Sequence, residues 1–437
     1  MHEVINFSCS QASGHLITQL YNVQESHLPY TRNKTLTHAN DVFLVASKVK
    51  GRTNYYPRSI NVEFQGGFGY LGKYEYHGPK IEPELMENVE IRSQERRAKN
   101  EFQLNLDAGK PTDSLLLSKH NTEYWTDYNK LIYRPDLLIS LGGFSHPEGT
   151  HKNFPRLKFE NYNVGEEEFK ALRDEIDDFF RKNLELLDQI QGVNFFTECD
   201  SAWAGFTGEM MTFLRDEYFG NGVSSKYNLW TYGLFEKGDK PPKIDTYLTR
   251  IRAMTELAAN STLFMPISSP KAPEAILSSN YDSSSLWHRA ATQSMFVNSL
   301  WGLNCQADNP VSMATIENNL LRGNSRRNVV NEVFITLAQT NKEKETQFGI
   351  VDDVNIMDMY LDAGQTLEKP LEVERLSLGL TLGNGKHTYA KGVIGKRQPE
   401  LGKTDLVTDT YVNGYMDEIT KIDTFPDILQ TSEFGVE

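Results

Sequence analysis

The stretch from Glu166 to Tyr232 constrains the fold more than any other part of the chain. Apolar residues recur every three or four positions over residues 166–190, which predicts an amphipathic helix packed on a sheet. Gly192 is placed to end this helix as a C′ glycine. Three further elements are predicted after it: a buried strand at 193–197, a helix at 209–218 and a strand at 226–235. This order indicates an α/β domain with a parallel sheet.

The predicted turn at residues 200–208, between a strand and a helix, is the candidate ligand site of this domain. Such a turn can cradle a phosphate, because backbone N–H groups and the helix dipole converge there. The sequence of the turn is D-S-A-W-A-G-F-T-G, so its first five residues contain no glycine. The stretch is therefore either a working nucleotide site or part of a nucleotide-binding fold that has lost its chemistry.

The N-terminus repeats the same arrangement. Residues 3–8 alternate loosely and predict a first strand, residues 8–14 are small and polar, and residues 15–23 predict a helix with Leu16 and Leu20 on one face. Doubly wound α/β domains begin with a strand, a turn and a helix. Any α/β unit with a polar turn would also explain this pattern.

Length and charge limit the possible classes. The 437 residues suggest two or three domains, and an apolar content of 39% is enough for sizeable cores. The net charge of −14 argues against nucleic acid, or an anionic membrane surface, as the main partner. The three cysteines are far apart and form no C-x-x-C pair, so the sequence shows neither a disulfide framework nor a zinc signature. This cysteine usage indicates a reducing compartment.

No transmembrane segment is expected, because no run of about 18 uncharged apolar residues occurs. The chain opens M-H-E-V and its first arginine is Arg32, so we expect neither a secretory signal nor an Arg-rich matrix presequence. Any association with an organelle would then be peripheral.

We predict two domains, 1–240 and 241–437, with the Lys- and Pro-rich residues 237–243 as the junction. The second is expected to be α+β, because its strand-like segments include a hairpin turning at Gly383-Asn384-Gly385. The first contains a charged insertion at about 79–113. Four cations of this insertion form either a solvated helix face or a docking patch: Arg92, Arg96, Arg97 and Lys99.

Generic catalytic signatures are missing from the sequence. It contains no G-x-x-x-x-G-K-[ST], no H-E-x-x-H and no G-x-S-x-G. His146 and His151 are spaced unlike common metal ligands and are interpreted as loop histidines.

Seven short motifs occur in order over the first half of the chain. They are M-H-E-V-I at 1–5, Y-N-V-Q at 21–24, Y-P-R-S-I-N-V at 56–62, Y-W-T-D-Y at 124–128, Q-G at 191–192, F-T-G at 206–208 and D-E-Y at 216–218. As an ordered set they resemble tubulins, and more closely the Misato family of tubulin-related proteins, which includes fungal mitochondrial-inheritance proteins. The resemblance covers about residues 1–235. It implies a tubulin/FtsZ-like fold, in which a Rossmann-like domain of the nucleotide-binding type precedes a smaller α+β domain.

The resemblance also implies a vestigial nucleotide site, for which GTP is the candidate ligand although no cofactor is expected. Its residues would be Ser10, Gln11, Ser201, Gly205 and Thr207. Tubulins have a glycine-rich loop where this chain has residues 200–206, and glycines where it has Ser10 and Ser13. The tubulin Gly-x-x-Asn-x-Asp loop has no counterpart near residues 281–285, so no catalytic residue is assigned.

Three functions follow from these observations. The first is a non-catalytic tubulin-like protein that acts through protein partners in mitochondrial distribution and mitochondrial DNA inheritance, located in the cytoplasm and peripherally on mitochondria. The second is a polymerising GTPase, and the third is an unrelated α/β enzyme using the same crevice. The resemblance also implies cytosolic chaperonin as a partner, whereas nucleic acid binding is not expected.

Overall fold

The fold is taken from a computed structural model. It describes residues 3–29, 38–49, 52–74, 97–220, 227–236, 243–268, 277–330, 333–337, 344–348, 389–395 and 406–429. The predicted hairpin at 383–385, the predicted junction at 237–242 and most of the charged insertion lie outside these residues.

A seven-stranded sheet forms the centre of the molecule, in the order β6-β5-β4-β1-β7-β8-β9. Six of these strands are parallel and only β6 runs antiparallel, against β5. Three two-stranded pairs, β2–β3, β10–β11 and β12–β13, complete the described strands. The strands are β1 Glu3–Cys9, β2 Leu44–Val49, β3 Arg52–Pro57, β4 Ser59–Gln65, β5 Leu138–Ser145, β6 Thr150–His151, β7 Ile190–Glu198, β8 Asn228–Phe235, β9 Leu263–Ser268, β10 Val333–Leu337, β11 Lys344–Phe348, β12 Lys391–Gly395 and β13 Thr408–Val412.

Helices cover both faces of this sheet, which explains why β1, β8 and β9 are buried along their whole length. α1 packs with α6 on one face, and α3, α4 and α5 pack together on the other. The helices are α1 Gln11–Ser26, α2 Glu101–Asp107, α3 Tyr162–Leu184, α4 Trp203–Leu214, α5 Ile244–Asn260, α6 Leu286–Asn304 and α7 Met313–Leu321. The α/β class predicted from the sequence is confirmed, and no described helix is long and apolar enough to cross a membrane.

Two predicted boundaries around α3 and β7 are wrong. α3 ends at Leu184 instead of Ile190, because residues from 190 onward pair with β1. Gly192 is a strand residue and not a helix cap. A Cβ atom at Gly192 would lie 2.3 Å from the carbonyl oxygen of Asn228, so glycine permits the close approach of β8.

The predicted turn at 200–208 is also wrong in its second half. α4 begins at Trp203, six residues before the predicted start, so Gly205 to Gly208 are helical. The predicted end of this helix is close to the structure, since a π-helical turn over Arg215–Phe219 leads to Gly220 with φ 73°. Glycine marks both turns and close helix contacts, and the sequence pattern alone does not separate the two.

The chain continues into the same sheet after residue 240. β9 is its edge strand beside β8, and α6 packs against α1, so the predicted domain boundary falls between two strands of one sheet. The predicted α+β domain over 241–437 as a whole stays a prediction, since much of its strand-rich part lies outside the described residues.

Residues 415–429, here called the C-terminal segment, close over α1 and α6. Thr424 is the centre of this contact: its carbonyl oxygen accepts from Gln19 Nε2 at 3.1 Å and from Trp287 Nε1 at 2.9 Å. Its hydroxyl accepts from Asn22 Nδ2 at 3.0 Å. Ile419 and Phe425 are buried in the same core as α1. The end of the described chain therefore completes the core begun by its first helix.

Candidate functional site

The carboxyl ends of the parallel strands meet at one edge of the sheet. β1 lies between β4 and β7, so the connections leave β1 in two directions. In open α/β sheets ligands bind in the crevice outside the strand ends at such a switch point. The turns after β1, β4, β7 and β8 therefore define the candidate site.

Ser10 forms the turn from β1 into α1 and has an unusual backbone. Its φ is 125° and its ψ is 165°, a region that favours glycine. The Ser10 hydroxyl accepts from the Ser13 backbone N–H at 3.2 Å and so caps α1. Serine therefore occupies a backbone conformation of the glycine type and contributes a helix cap.

Gln11, the first residue of α1, links this turn to the one after β4. Its Nε2 donates to the carbonyl oxygen of Gly67. The Gln11 Oε1 atom is buried and accepts no hydrogen bond from any residue that the structure describes. Gln11 is the residue of the predicted set with spare hydrogen-bonding capacity at the strand ends.

Glu198, the last residue of β7, brings two of the predicted residues together. Its carboxylate accepts a hydrogen bond from the Ser201 hydroxyl at 3.3 Å, and the Ser10 hydroxyl lies close enough to lower the pKa of Glu198. Burial raises the pKa of Glu198, while the Ser10 hydroxyl and the charge of Arg289 oppose this rise. Both serine hydroxyls therefore lie beside a carboxylate of the chain itself.

Asp200, in the turn after β7, forms a largely buried ion pair with Arg250 of α5. Arg250 Nη2 lies 3.0 Å from Asp200 Oδ2, and it also donates to the carbonyl oxygen of Glu236 at 2.7 Å. Asp200 also accepts from the backbone N–H of Glu236 at 2.5 Å. These contacts join the turn after β7 to the turn after β8.

The sequence analysis missed the role of Arg250, although a signal was present. Arg250 precedes Ala253 by three residues and Leu257 by seven, and all three are buried on one face of α5. A cation within the apolar stripe of an amphipathic helix needs a buried anion as its partner. That partner is Asp200.

Gly205 lies at the crossing of α4 with α3 and not at the strand ends. A Cβ atom at Gly205 would lie 1.9 Å from the carbonyl oxygen of Tyr162, and one at Gly165 would lie 1.8 Å from that of Ala202. The two glycines let the helix backbones touch. Gly205 therefore serves the packing of α4 on α3, whereas Ser10, Gln11 and Ser201 lie at the strand ends.

Thr207 is likewise turned into the protein. Its side chain is fully buried and its hydroxyl donates to Thr197 Oγ1 at 2.9 Å. It also lies beside Cys9, whose pKa burial raises to about 12. The Thr207 hydroxyl therefore lies between α4 and the strands β7 and β1, on the face of the sheet that α4 covers.

Trp203, which lies in the stretch where tubulins have their glycine-rich loop, fills an aromatic cluster. Its ring lies 5.0 Å from Phe64, 4.9 Å from Phe159 and 5.8 Å from Phe206, measured between centroids. Only 2% of its surface is exposed. The indole thus anchors the start of α4 against β4.

A cavity of about 70 Å³ remains at the strand ends, between α1, β7, β8 and α6. Glu198, Glu236 and Arg289 line it, and Arg289 forms an ion pair with Glu236 at 3.1 Å. Sites for small organic ligands usually have volumes of about 300 Å³ or more. Within the described residues no group of three or more metal-ligating side chains occurs, and His146 and His151 lie on the β5–β6 hairpin.

Two family profiles match adjoining parts of the chain. The Misato Segment II tubulin-like domain matches residues 2–108, and the Tubulin domain matches residues 115–303. The two together extend from β1 to α6, so the tubulin-like fold is confirmed on the elements that form the sheet and the candidate site.

Three relatives match nearly the whole of this chain. The DML1 protein of Debaryomyces hansenii is 38% identical over 441 residues, which cover 98% of this chain and 86% of the relative. The DML1 protein of Scheffersomyces stipitis is 34% identical over 98% of this chain and 84% of its own length. That of Candida albicans is 32% identical over 100% of this chain and 88% of its own length. The chain therefore belongs to the Misato/DML1 family of tubulin-like proteins.

Proposed function

We propose that this protein is a non-catalytic member of the tubulin fold that acts through protein partners in the distribution of mitochondria and the inheritance of mitochondrial DNA. Family membership supports the cellular part of the proposal, because the Misato resemblance includes fungal mitochondrial-inheritance proteins. The protein would work in the cytoplasm and on the outside of mitochondria.

The Asp200–Arg250 ion pair is the observation that carries the non-catalytic part. It joins the turns after β7 and β8, which border the crevice at the strand ends where a nucleotide-binding α/β protein holds its ligand. The Ser201 hydroxyl donates to Glu198, the Ser10 hydroxyl lies beside the same carboxylate, and the cavity that the described residues enclose there is about 70 Å³. Glu198, Asp200 and Glu236 line this cavity together with Arg289, and this excess of carboxylates would also repel phosphates.

The biochemical test measures GTP turnover and assembly together. The purified full chain is incubated with labelled GTP and Mg²⁺ and assayed for phosphate release and for GTP-dependent pelleting, with tubulin as the positive control. We expect neither signal above that of a GTP-free sample. Turnover or GTP-dependent filaments would establish the polymerising GTPase instead, and binding without turnover would indicate a structural nucleotide.

The cellular test is depletion followed by rescue. Loss of the protein should alter the distribution of stained mitochondria and lower mitochondrial DNA content, and the wild-type chain should restore both. Protease treatment of intact mitochondria should digest the associated protein, as expected for a location outside the matrix. Unchanged mitochondria after depletion would contradict the organelle role. Copurification with cytosolic chaperonin during synthesis tests the expected chaperone partner.

A further inference from the structure

The β5–β6 hairpin leads into a short projecting loop at the strand-end edge of the sheet. All seven residues of this loop, 152–158, are exposed, and we call them the basic tip. Its base is fixed by backbone hydrogen bonds at 2.9 Å from His151 N to Leu157 O and from Phe159 N to Gly149 O. The basic tip is therefore a convex loop held on a short, hydrogen-bonded base.

The basic tip combines apolar and cationic side chains. Phe154 is 63% exposed and Leu157 is 39% exposed, and both belong to the large apolar residues that the fold leaves in solvent. The Phe154 ring rests beside the His151 ring, with 5.0 Å between centroids. The backbone N–H of Phe154 also donates to His151 Nδ1 at 3.1 Å, which orients the loop.

Three cations flank these apolar groups: Lys152, Arg156 and Lys158. Neither Arg156 nor Lys158 forms an ion pair with any residue in the described part of the chain. Two exposed acids, Glu148 and Glu160, stand at the base of the loop and not within it. Cations that alternate with exposed apolar side chains are complementary to a surface with negative charges on its outside and apolar groups below them.

We propose that the basic tip docks the protein on an anionic phospholipid bilayer, with Phe154 and Leu157 entering the interface and Arg156 and Lys158 binding lipid phosphates. Aromatic rings settle at the level of the headgroups, and each cation near an anionic leaflet is attracted to it. A short exposed loop needs no preformed pocket to enter a bilayer, whereas a specific protein interface requires shape complementarity over a larger area.

The charge of the whole chain restricts the orientation of this contact. The net charge of −14 repels an anionic surface, which agrees with the sequence-based argument against a membrane as the main partner. Exposed charges are screened beyond about 8 Å at physiological salt, however, so a projecting loop meets the leaflet before the acidic body does. Docking would therefore occur tip-first, and it would be weak and sensitive to salt.

This lipid contact goes beyond the partner-binding role proposed above. Its first test uses purified protein and vesicles, without organelles. The purified full chain is sedimented with vesicles of phosphatidylcholine alone and with vesicles that also contain phosphatidylserine. We expect binding only to the anionic vesicles, weakening as salt is raised. Absence of binding to anionic vesicles at low salt would overturn the proposal and leave the organelle role intact.

Matched variants assign the binding to the basic tip. Arg156→Glu with Lys158→Glu should weaken vesicle binding by about twentyfold or more, since each cation contributes about fivefold. Phe154→Ser with Leu157→Ser should weaken it by about tenfold. The controls make the same changes elsewhere, at Lys110 with Arg326 and at Leu104 with Leu115, all of which are exposed. Tip variants that bind like the controls would contradict the proposal.

A tryptophan probe reports insertion directly. All five native tryptophans are buried, so their emission should not change when vesicles are added. Phe154→Trp places an indole at the basic tip, and we expect a blue shift and quenching by brominated lipid with anionic vesicles only. If tip variants lose association with mitochondria while the indole of the Phe154→Trp variant shows no quenching, the basic tip binds a protein and the lipid proposal is wrong.

Discussion

Arg250 Nη2 lies 3.0 Å from Asp200 Oδ2, and this contact joins α5 to the turn after β7. Arg250→Met should leave the carboxylate without its cation and should also remove a donor from the carbonyl oxygen of Glu236. Breaking a buried ion pair by removing one partner costs about 3–5 kcal/mol. We therefore expect a loss of about 3 kcal/mol in the free energy of unfolding, measured with urea.

Arg289→Met is the matched control for this experiment. Arg289 also pairs with an acid at the strand ends, but its partner Glu236 is 67% exposed. An ion pair with an exposed partner contributes about 1 kcal/mol or less. Equal losses in the two variants would show that the Asp200–Arg250 pair does not stabilise the edge of the sheet.

Gly205→Ala tests the helix crossing between α3 and α4. The added Cβ would lie 1.9 Å from the carbonyl oxygen of Tyr162, so one helix must move away from the other. Overpacking of this kind costs about 1–3 kcal/mol, or more where backbone is involved. Gly142→Ala is the control, since a Cβ there meets no atom within 4 Å. If thermal unfolding midpoints of the two variants agree, Gly205 does not determine the packing.

The backbone of Ser10 predicts an order of stability among its variants. Ser10→Gly and Ser10→Ala lose the same hydroxyl contacts, but only glycine adopts φ 125° and ψ 165° without strain. The Gly variant should therefore be more stable than the Ala variant by about 1 kcal/mol. The order should reverse at Ser13, which lies within α1, because Ala favours helix over Gly by about 1 kcal/mol. Urea titrations of the four variants decide both comparisons.

Asp127 makes stability depend on pH in an identifiable way. Burial raises the pKa of Asp127 from 3.8 to about 6, although its carboxylate accepts from the Tyr124 backbone N–H at 2.9 Å. Because the folded protein holds this proton more tightly than the unfolded chain, the contribution of Asp127 is full below about pH 4 and is lost as pH rises through 6. The ionised group then costs about 3 kcal/mol at pH 7.

Asp127→Asn removes this titration and keeps an oxygen to accept from Tyr124. The free energy of unfolding of the variant, relative to the wild type, should rise by about 3 kcal/mol between pH 4 and pH 7. Parallel stability curves over this range would show that Asp127 titrates alike in the folded and unfolded chain.

The sequence predicted the buried strands well and the helix contacts poorly. β7 and β8 appear as apolar runs because both faces of a parallel sheet are covered, and that pattern is local. The role of Gly205 depends on where α3 crosses α4, which no local pattern encodes. The same limit applied to the candidate site: Ser10 and Ser201 meet at Glu198, whereas Thr207 faces Thr197 inside the protein. Which residues belong to the site thus depended on where α4 begins. The sequence left that start ambiguous, because Gly205 and Gly208 are typical of a turn as well as of a close helix contact.

The contact of the C-terminal segment with α1 has a consequence for biosynthesis. Gln19 and Thr424 are 405 residues apart in the chain, and their hydrogen bond joins elements of one core. The part of α1 that contacts this segment therefore stays uncovered until residues 415–429 have been translated, although β7 and α6 cover the rest of the helix earlier, and long-range contacts of this kind form slowly. A nascent chain in that condition is prone to aggregation until its last core residues arrive. This core is thus expected to be completed only after residue 424 has been translated, and the order in which its parts are made sets how much folding assistance the chain needs.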